Sequence, residues 1–206
     1  MNGSRRSRAR GKRQDLAAYF VRGSDCFSNA SMSELDHFQR LGLPRRFALD
    51  LREVERQYLA RSRAIHPDFH QLGATSEQQA SLDATARLNE AYAALRDPFK
   101  RAEYLLQLER GPTASEQKEM PPEFLEEVLE LRMAIEELRE VEPPDSLPRR
   151  EMENRLEHRR AMMLQEVEND FAAMTPSNRK EALISIRRRL NAIKYMQGLL
   201  RDLRAQ

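Results

Sequence analysis

From residue 36 onward, apolar positions recur along this chain at helical rather than strand intervals. Phe38, Leu41 and Leu43 mark one side of a short helical pattern that Gly42 and Pro44 end. Asp50 then offers an N-cap with Glu53 three residues on. Leu51, Val54, Tyr58 and Ile65 come next at steps of three, four and seven, which predicts a helix from about Leu51 to about Ile65. Pro67 disfavours helical geometry at His66, so the chain from there through Gly73 to Ser76 reads as loop. Thr75 with Gln78 resembles a capping box, and beyond it Ala84, Leu88, Ala91, Tyr92 and Leu95 form one apolar stripe. Two helices joined by a polar loop predict an antiparallel hairpin. Asp97-Pro98 punctuates the second of them, and a short apolar segment (Ala102, Tyr104, Leu105, Leu106, Leu108) runs to Arg110-Gly111-Pro112.

The polar stretch 111–120 is the best candidate for a domain boundary. Three long patterns come after it. The first opens at Pro121-Pro122 and carries Phe124, Val128, Leu131, Ile135 and Leu138 at seam spacing. The second begins beyond Pro143-Pro144 and Pro148, with Met152, Leu156, Met163, Val167, Phe171 and Met174 facing inward. The third begins at Thr175-Pro176 and repeats Leu183, Ile186, Leu190, Ile193 and Leu200. Three antiparallel helices with short connections predict a small bundle, and the whole chain reads as all-α.

Composition agrees. Among 206 residues there are 7 Gly, no Trp and few aromatics, while 40% are hydrophobic, enough for a core. Charges interrupt every apolar run well short of the roughly 20 residues a membrane-spanning helix needs. Cys26 stands alone, which excludes an intramolecular disulfide or a multi-cysteine metal site and suits a reducing compartment. The net charge of +2 conceals an asymmetry. Arg5, Arg6, Arg8, Arg10, Lys12 and Arg13 carry +6 before any acid appears, so residues 15–206 sum to −4. Residues 1–31 are therefore expected to be a basic, disordered extension, and Met32 begins a stretch that reads as a native N-terminus.

The sharpest local feature is His66-Pro67-Asp68, placed between the two helices of the predicted hairpin. Pro67 restricts the loop so that His66 and Asp68 project together, an arrangement suited to docking, and Asp68 offers an acceptor to a partner's arginine. Around it stand Phe38-x-x-Leu-Gly-Leu43-Pro44, Tyr58 eight residues before the histidine, and Asn89-x-Ala-Tyr-x-x-Leu95. Together these resemble the J-domain pattern over about residues 36–108. The resemblance implies a co-chaperone that stimulates an HscA/DnaK-type chaperone ATPase, with His66, Pro67, Asp68 and Tyr58 at the contact. Arg52, Arg56 and Arg63 would form the basic helix face that J domains present to an acidic partner, with Arg61 at its edge. Leu59 and Ala60 stand where many J domains are basic.

After Asp97 the chain departs from ordinary J proteins. Pro98-x-x-Arg101-Ala-Glu-Tyr104-Leu-Leu106, a linker, and Phe124-Leu125-Glu-Glu-Val-Leu129-Glu130-Leu131-Arg132 resemble the HscB family of iron-sulfur-cluster co-chaperones. The resemblance implies a J domain over 32–110, a linker over 111–120 and a scaffold-binding three-helix bundle over 121–206. Read from periodicity alone, Leu125, Leu129 and Met133 form a stripe the seam does not need, flanked by Glu126, Glu130 and Glu137. It is either a docking face or a widened core. Tyr195 lies about 200° from Ile193, away from the seam, with Leu199 one turn beyond. By resemblance, Leu125, Leu129, Glu130, Met133, Glu137 and Tyr195 contact an IscU-type iron-sulfur scaffold protein.

No nucleotide-binding glycine loop, nucleophile elbow or paired metal ligands occur, so neither catalysis nor a cofactor is expected. A J protein for another client would keep His66-Pro67-Asp68 without the stripe of Leu125 and Leu129. Nucleic acid, suggested by the arm and by Arg187-Arg188-Arg189, is the less favoured partner. The expected location is the cytoplasm, with the mitochondrial matrix as the alternative.

Overall fold

The first helix, α1 (His37–Leu41), starts where two orphan amides find partners. Asp36 accepts the Gln39 N–H at 2.8 Å and the Gln39 side chain accepts the Asp36 N–H at 3.0 Å, a complete capping box. It ends at Gly42, whose φ of 63° allows a Schellman closure in which the Leu43 N–H reaches the Phe38 carbonyl. A Cβ there would also meet the Arg61 guanidinium at 2.0 Å. The computed structural model describes residues 35–65 and 75–205, without the side chains of 75–78. His66, Pro67, Asp68 and the expected Thr75–Gln78 cap therefore lie outside the described residues.

Helices α2 (Leu51–Ile65) and α3 (Thr75–Arg96) form the predicted hairpin, and α2 begins at its expected cap, with Asp50 accepting the Arg52 N–H at 2.9 Å. Val54 on α2 and Leu88, Ala91 and Leu95 on α3 are buried, and α1 lies against α3. Helix α4 (Pro98–Leu108) starts at Asp97, which accepts the Lys100 N–H at 2.9 Å, with Pro98 in the first turn. Its end shows an unusual division of labour. The Schellman bonds run from Arg110 to the Gln107 carbonyl and from Gly111 to the Leu106 carbonyl, so Arg110 takes the left-handed φ of 53°. Gly111 is needed for space instead, since a Cβ would lie 2.3 Å from Leu106 Cδ1.

The last three helices are α5 (Pro122–Val141), α6 (Leu147–Ala172) and α7 (Arg179–Arg204), so all seven helices of the described residues, with no strand, make the all-α fold read from the sequence. Helix α7 starts later than its Thr175-Pro176 signal. Those residues form a turn instead, in which the Thr175 N–H donates to Asn178 Oδ1 at 2.7 Å. The seam positions are mostly inside: Phe124, Leu131 and Ile135 of α5, Leu156, Met163 and Val167 of α6, and all five of α7. Val128 and Leu138 are only half-buried. Leu199, read as lying off the seam, is instead buried at 4% exposure. One-seam reasoning fails for α7 because it packs against α4, α5 and α6, so it has no single inner face.

The core runs without a break from Phe38 to Leu203. Where α4 meets α7, Arg187 is 2% exposed and its guanidinium makes two bonds to the Glu103 carboxylate, at 2.5 and 2.6 Å. Its Nε donates to Asn191 Oδ1 at 3.1 Å, and the Asn191 amide donates in turn to the Gln117 and Glu119 carbonyls at 2.8 and 2.9 Å. The stretch 111–120, helix-free, is thereby tied to α7. A second junction stacks Phe47 on Phe171 with ring centroids 5.9 Å apart, and the buried Arg101 guanidinium lies over the Phe47 ring, 5.2 Å from its centroid. Burial lowers the Arg101 pKa against the opposing pull of Glu168 and Asp97.

Breaking the first junction from the acid side should be costly. Glu103→Ala strands a buried guanidinium and is expected to cost about 3 kcal/mol, whereas Glu103→Leu combined with Arg187→Met should recover most of it. Thermal melts of the two variants check this.

Candidate functional site

Two surfaces carry the residues singled out in the sequence, one on α2 and one on α5. On α2, burial separates the predicted contact residues into two kinds. Arg52, Arg56 and Arg63 are exposed, and Arg56 forms an ion pair with Glu53 one turn earlier. Tyr58 is turned inward: its ring stacks on Tyr92 at 4.2 Å and its hydroxyl donates to Asn89 Oδ1 at 2.9 Å. Tyr58 therefore clamps the hairpin. Near the end where α2 leads into α3, the Ser81 hydroxyl donates to the carbonyl of Ile65, the last residue of α2, at 2.8 Å. Neither Asn89 nor Ser81 was read as part of this arrangement from pattern alone. Arg61, read at the edge of the basic face, is half-buried beneath α1, and desolvation lowers its pKa.

On α5 the stripe beside the seam faces water. Leu125 is 51% exposed, and Leu129 and Met133 are each 63% exposed. Glu126, Glu130 and Glu137 are exposed alongside them. At about 100° per residue Leu125, Leu129 and Met133 occupy the flank of α5 away from Glu127, which holds Arg159 of α6 through three bonds of 2.9 to 3.0 Å, and the three glutamates lie along one side of the stripe. The widened-core alternative fails for this stripe, because its side chains are exposed while the buried Phe124, Leu131 and Ile135 of the seam take the packing against α6 and α7. Tyr195 is intermediate. It meets Phe124 edge-on, centroids 6.4 Å apart at 84°, so the ring supports the seam while standing beside α5. Arg132 donates to Glu136 one turn on at 3.3 Å, and that bond, with a smaller influence of Tyr195, raises its pKa.

The arginine triplet of α7 is consumed within the fold. Arg187 pairs with Glu103, Arg188 with Glu119, and Arg189 with Glu166 and Asp170. Charges neutralised by neighbours at this range leave little to attract a phosphate backbone. Among the described residues, no cluster of three His, Cys, Asp or Glu is placed to hold a metal ion, and no helix is long and apolar enough to cross a membrane.

Exposure makes a stability forecast for the α5 surface. Replacing Leu125, Leu129 and Met133 together by Ala should leave melting nearly unchanged, within about 0.5 kcal/mol per site. Tyr195→Ala, which removes a ring contact from the core edge, should lose about 1 to 2 kcal/mol and lower Tm by several degrees in the same assay.

Comparisons with known proteins match two parts of the chain. Residues 36–104 match the DnaJ domain family model and residues 120–204 match the HSCB C-terminal oligomerisation domain. A co-chaperone protein HscB homolog from Chromobacterium violaceum is 37% identical over 117 residues, covering 56% of this chain and 67% of that relative. Two solved structures share the fold. Chaperone HscB from Vibrio cholerae, 23% identical, superposes with a TM-score of 0.67 over 82% of this chain and 95% of its own. Human co-chaperone protein HscB, 22% identical, gives 0.69 over 84% and 83%. With a J hairpin, a helical C-terminal region and a relative at this identity, the chain belongs to the HscB family of J-domain co-chaperones.

Proposed function

We propose that this chain stimulates the ATPase of an HscA/DnaK-type chaperone through its J hairpin and delivers to it an IscU-type iron-sulfur scaffold protein held on α5. The observation that carries the reading is the exposed apolar stripe of Leu125, Leu129 and Met133, rimmed by Glu126, Glu130 and Glu137, in the C-terminal region of a J-domain protein. Apolar area supplies affinity and the acidic rim orients a partner, while Tyr195 stands beside the stripe as an aromatic anchor. A J protein serving an unrelated client would have no use for this face. The ATPase-facing set is His66, Pro67 and Asp68 with Arg52, Arg56 and Arg63, and Tyr58 acts by holding α2 on α3.

The chemistry asked of the chain is binding and positioning: hydrolysis is the chaperone's, and the cluster is cargo on the scaffold. His66→Gln should abolish stimulation in a single-turnover ATPase assay with circular dichroism unchanged. Leu125→Ala with Leu129→Ala should weaken scaffold binding in calorimetry by about tenfold or more, at about 1 kcal/mol per side chain, and leave scaffold-free stimulation intact. Retained stimulation by the first variant or unchanged affinity in the second would remove the corresponding half of the reading.

A further inference from the structure

The face of α2 opposite the core is not uniformly basic. Counting about 100° per residue, Val54, Tyr58 and Ile65 point together into the fold, and Arg52, Arg56 and Arg63 point the opposite way. Leu59 falls at the edge of that second group, so that an arc of about 60° holds it and all three arginines, and it lies between Arg56 and Arg63 along the axis. It is 45% exposed. Packing gives no reason for a leucine there, because the neighbouring Tyr58 already makes the inward contacts of that turn. Leu51, 49% exposed at the start of the helix, adds apolar surface on one flank, with the exposed Glu55 between the two leucines.

We propose that Leu59 is a specificity-determining contact residue, which selects a chaperone ATPase whose acidic docking surface carries an apolar spot between its carboxylates. This rests on the proposed chaperone function and refines it. The exposed guanidiniums of Arg52 and Arg63, beside an Arg56 paired with Glu53, call for an acidic partner and set its approach, since charge complementarity acts at a distance. A leucine at the edge of those charges, with Glu55 on its other side, adds affinity only if the opposing surface removes it from water through apolar contact. Against a uniformly acidic surface it would desolvate carboxylates without compensation, so the same side chain favours one class of partner and disfavours the other.

The test titrates the full-length chain into an HscA-type and into a DnaK-type chaperone, following ATPase stimulation at low and high ionic strength. Variants Leu59→Ala, Leu59→Lys and Arg52→Ala are then compared on whichever chaperone the unmodified chain stimulates more strongly. Leu59→Ala should raise the half-maximal concentration about tenfold at both salt levels. The Arg52→Ala effect should shrink as salt rises, because a screened charge has less to lose. Leu59→Lys should be weaker than the unmodified chain despite its added charge. Melting temperatures should be unaltered, since the residue faces water. A Leu59→Ala variant within about twofold of the unmodified chain, or a Leu59→Lys variant that binds more tightly, overturns the proposal. Failure of the unmodified chain to stimulate either chaperone would instead overturn the function on which it rests.

Discussion

The ion pair between the partly exposed Glu103 and the buried Arg187 constrains the relation of everything on either side of it. A guanidinium at 2% exposure must be neutralised and hydrogen-bonded, and the partners that do this come from different parts of the chain. Glu103 belongs to α4, which the J hairpin reaches through α1: the His37 N–H donates to the Tyr104 hydroxyl at 3.0 Å, and Phe38 stacks on the same ring at 6.0 Å. Asn191, one turn along α7 from Arg187, fixes the helix-free connection by two carbonyls. Because the two terminal nitrogens of Arg187 donate to the two carboxylate oxygens of Glu103 in a planar fork, the angle between α4 and α7 is restricted as well as their distance. The helices that carry the two candidate surfaces are thus joined through defined geometry.

That arrangement leaves the surfaces free to specialise. Helix α7 buries ten residues of 26 and serves as the structural axis, whereas α5 buries three of 20 and keeps a flank in water. Ion pairs dispose of most arginines in the C-terminal region: Arg159 on Glu127, Arg204 on Glu153 and Glu157, and the α7 triplet on four acids. Arg52 and Arg63 of α2, exposed beside an Arg56 that is paired with Glu53, therefore stand out against a surface on which positive charge is otherwise largely matched. Such surface pairs contribute modestly to stability, but they decide which faces present net charge to a partner.

Much of this could be read from the linear chain. Helix limits depended on local chemistry, as at Asp36, Asp50, Gly42 and Asp97, where a side chain or a left-handed φ satisfies orphan backbone groups within four residues. The stripe of Leu125, Leu129 and Met133 and the face of Arg52, Arg56 and Arg63 also came from the helical period, because an angular position needs only the count along one helix. The tripeptide His66-Pro67-Asp68 was legible as a motif, and it lies outside the described residues.

Other features depended on the number and direction of neighbours, which no single helix encodes. Arg187 looked like the start of a basic cluster until α4 placed Glu103 against it, and Leu199 looked external until α7 proved to be covered on several sides. Arg61, read at the edge of the basic face, lies against Gly42 at the end of α1, and Tyr58, already in the apolar stripe of α2, is held by Tyr92 and Asn89 of α3. Local periodicity and capping by themselves determined which segments are helical and which faces are apolar. Tertiary packing alone decided which apolar faces stay wet and which charges are buried, because burial is a property of the space between elements.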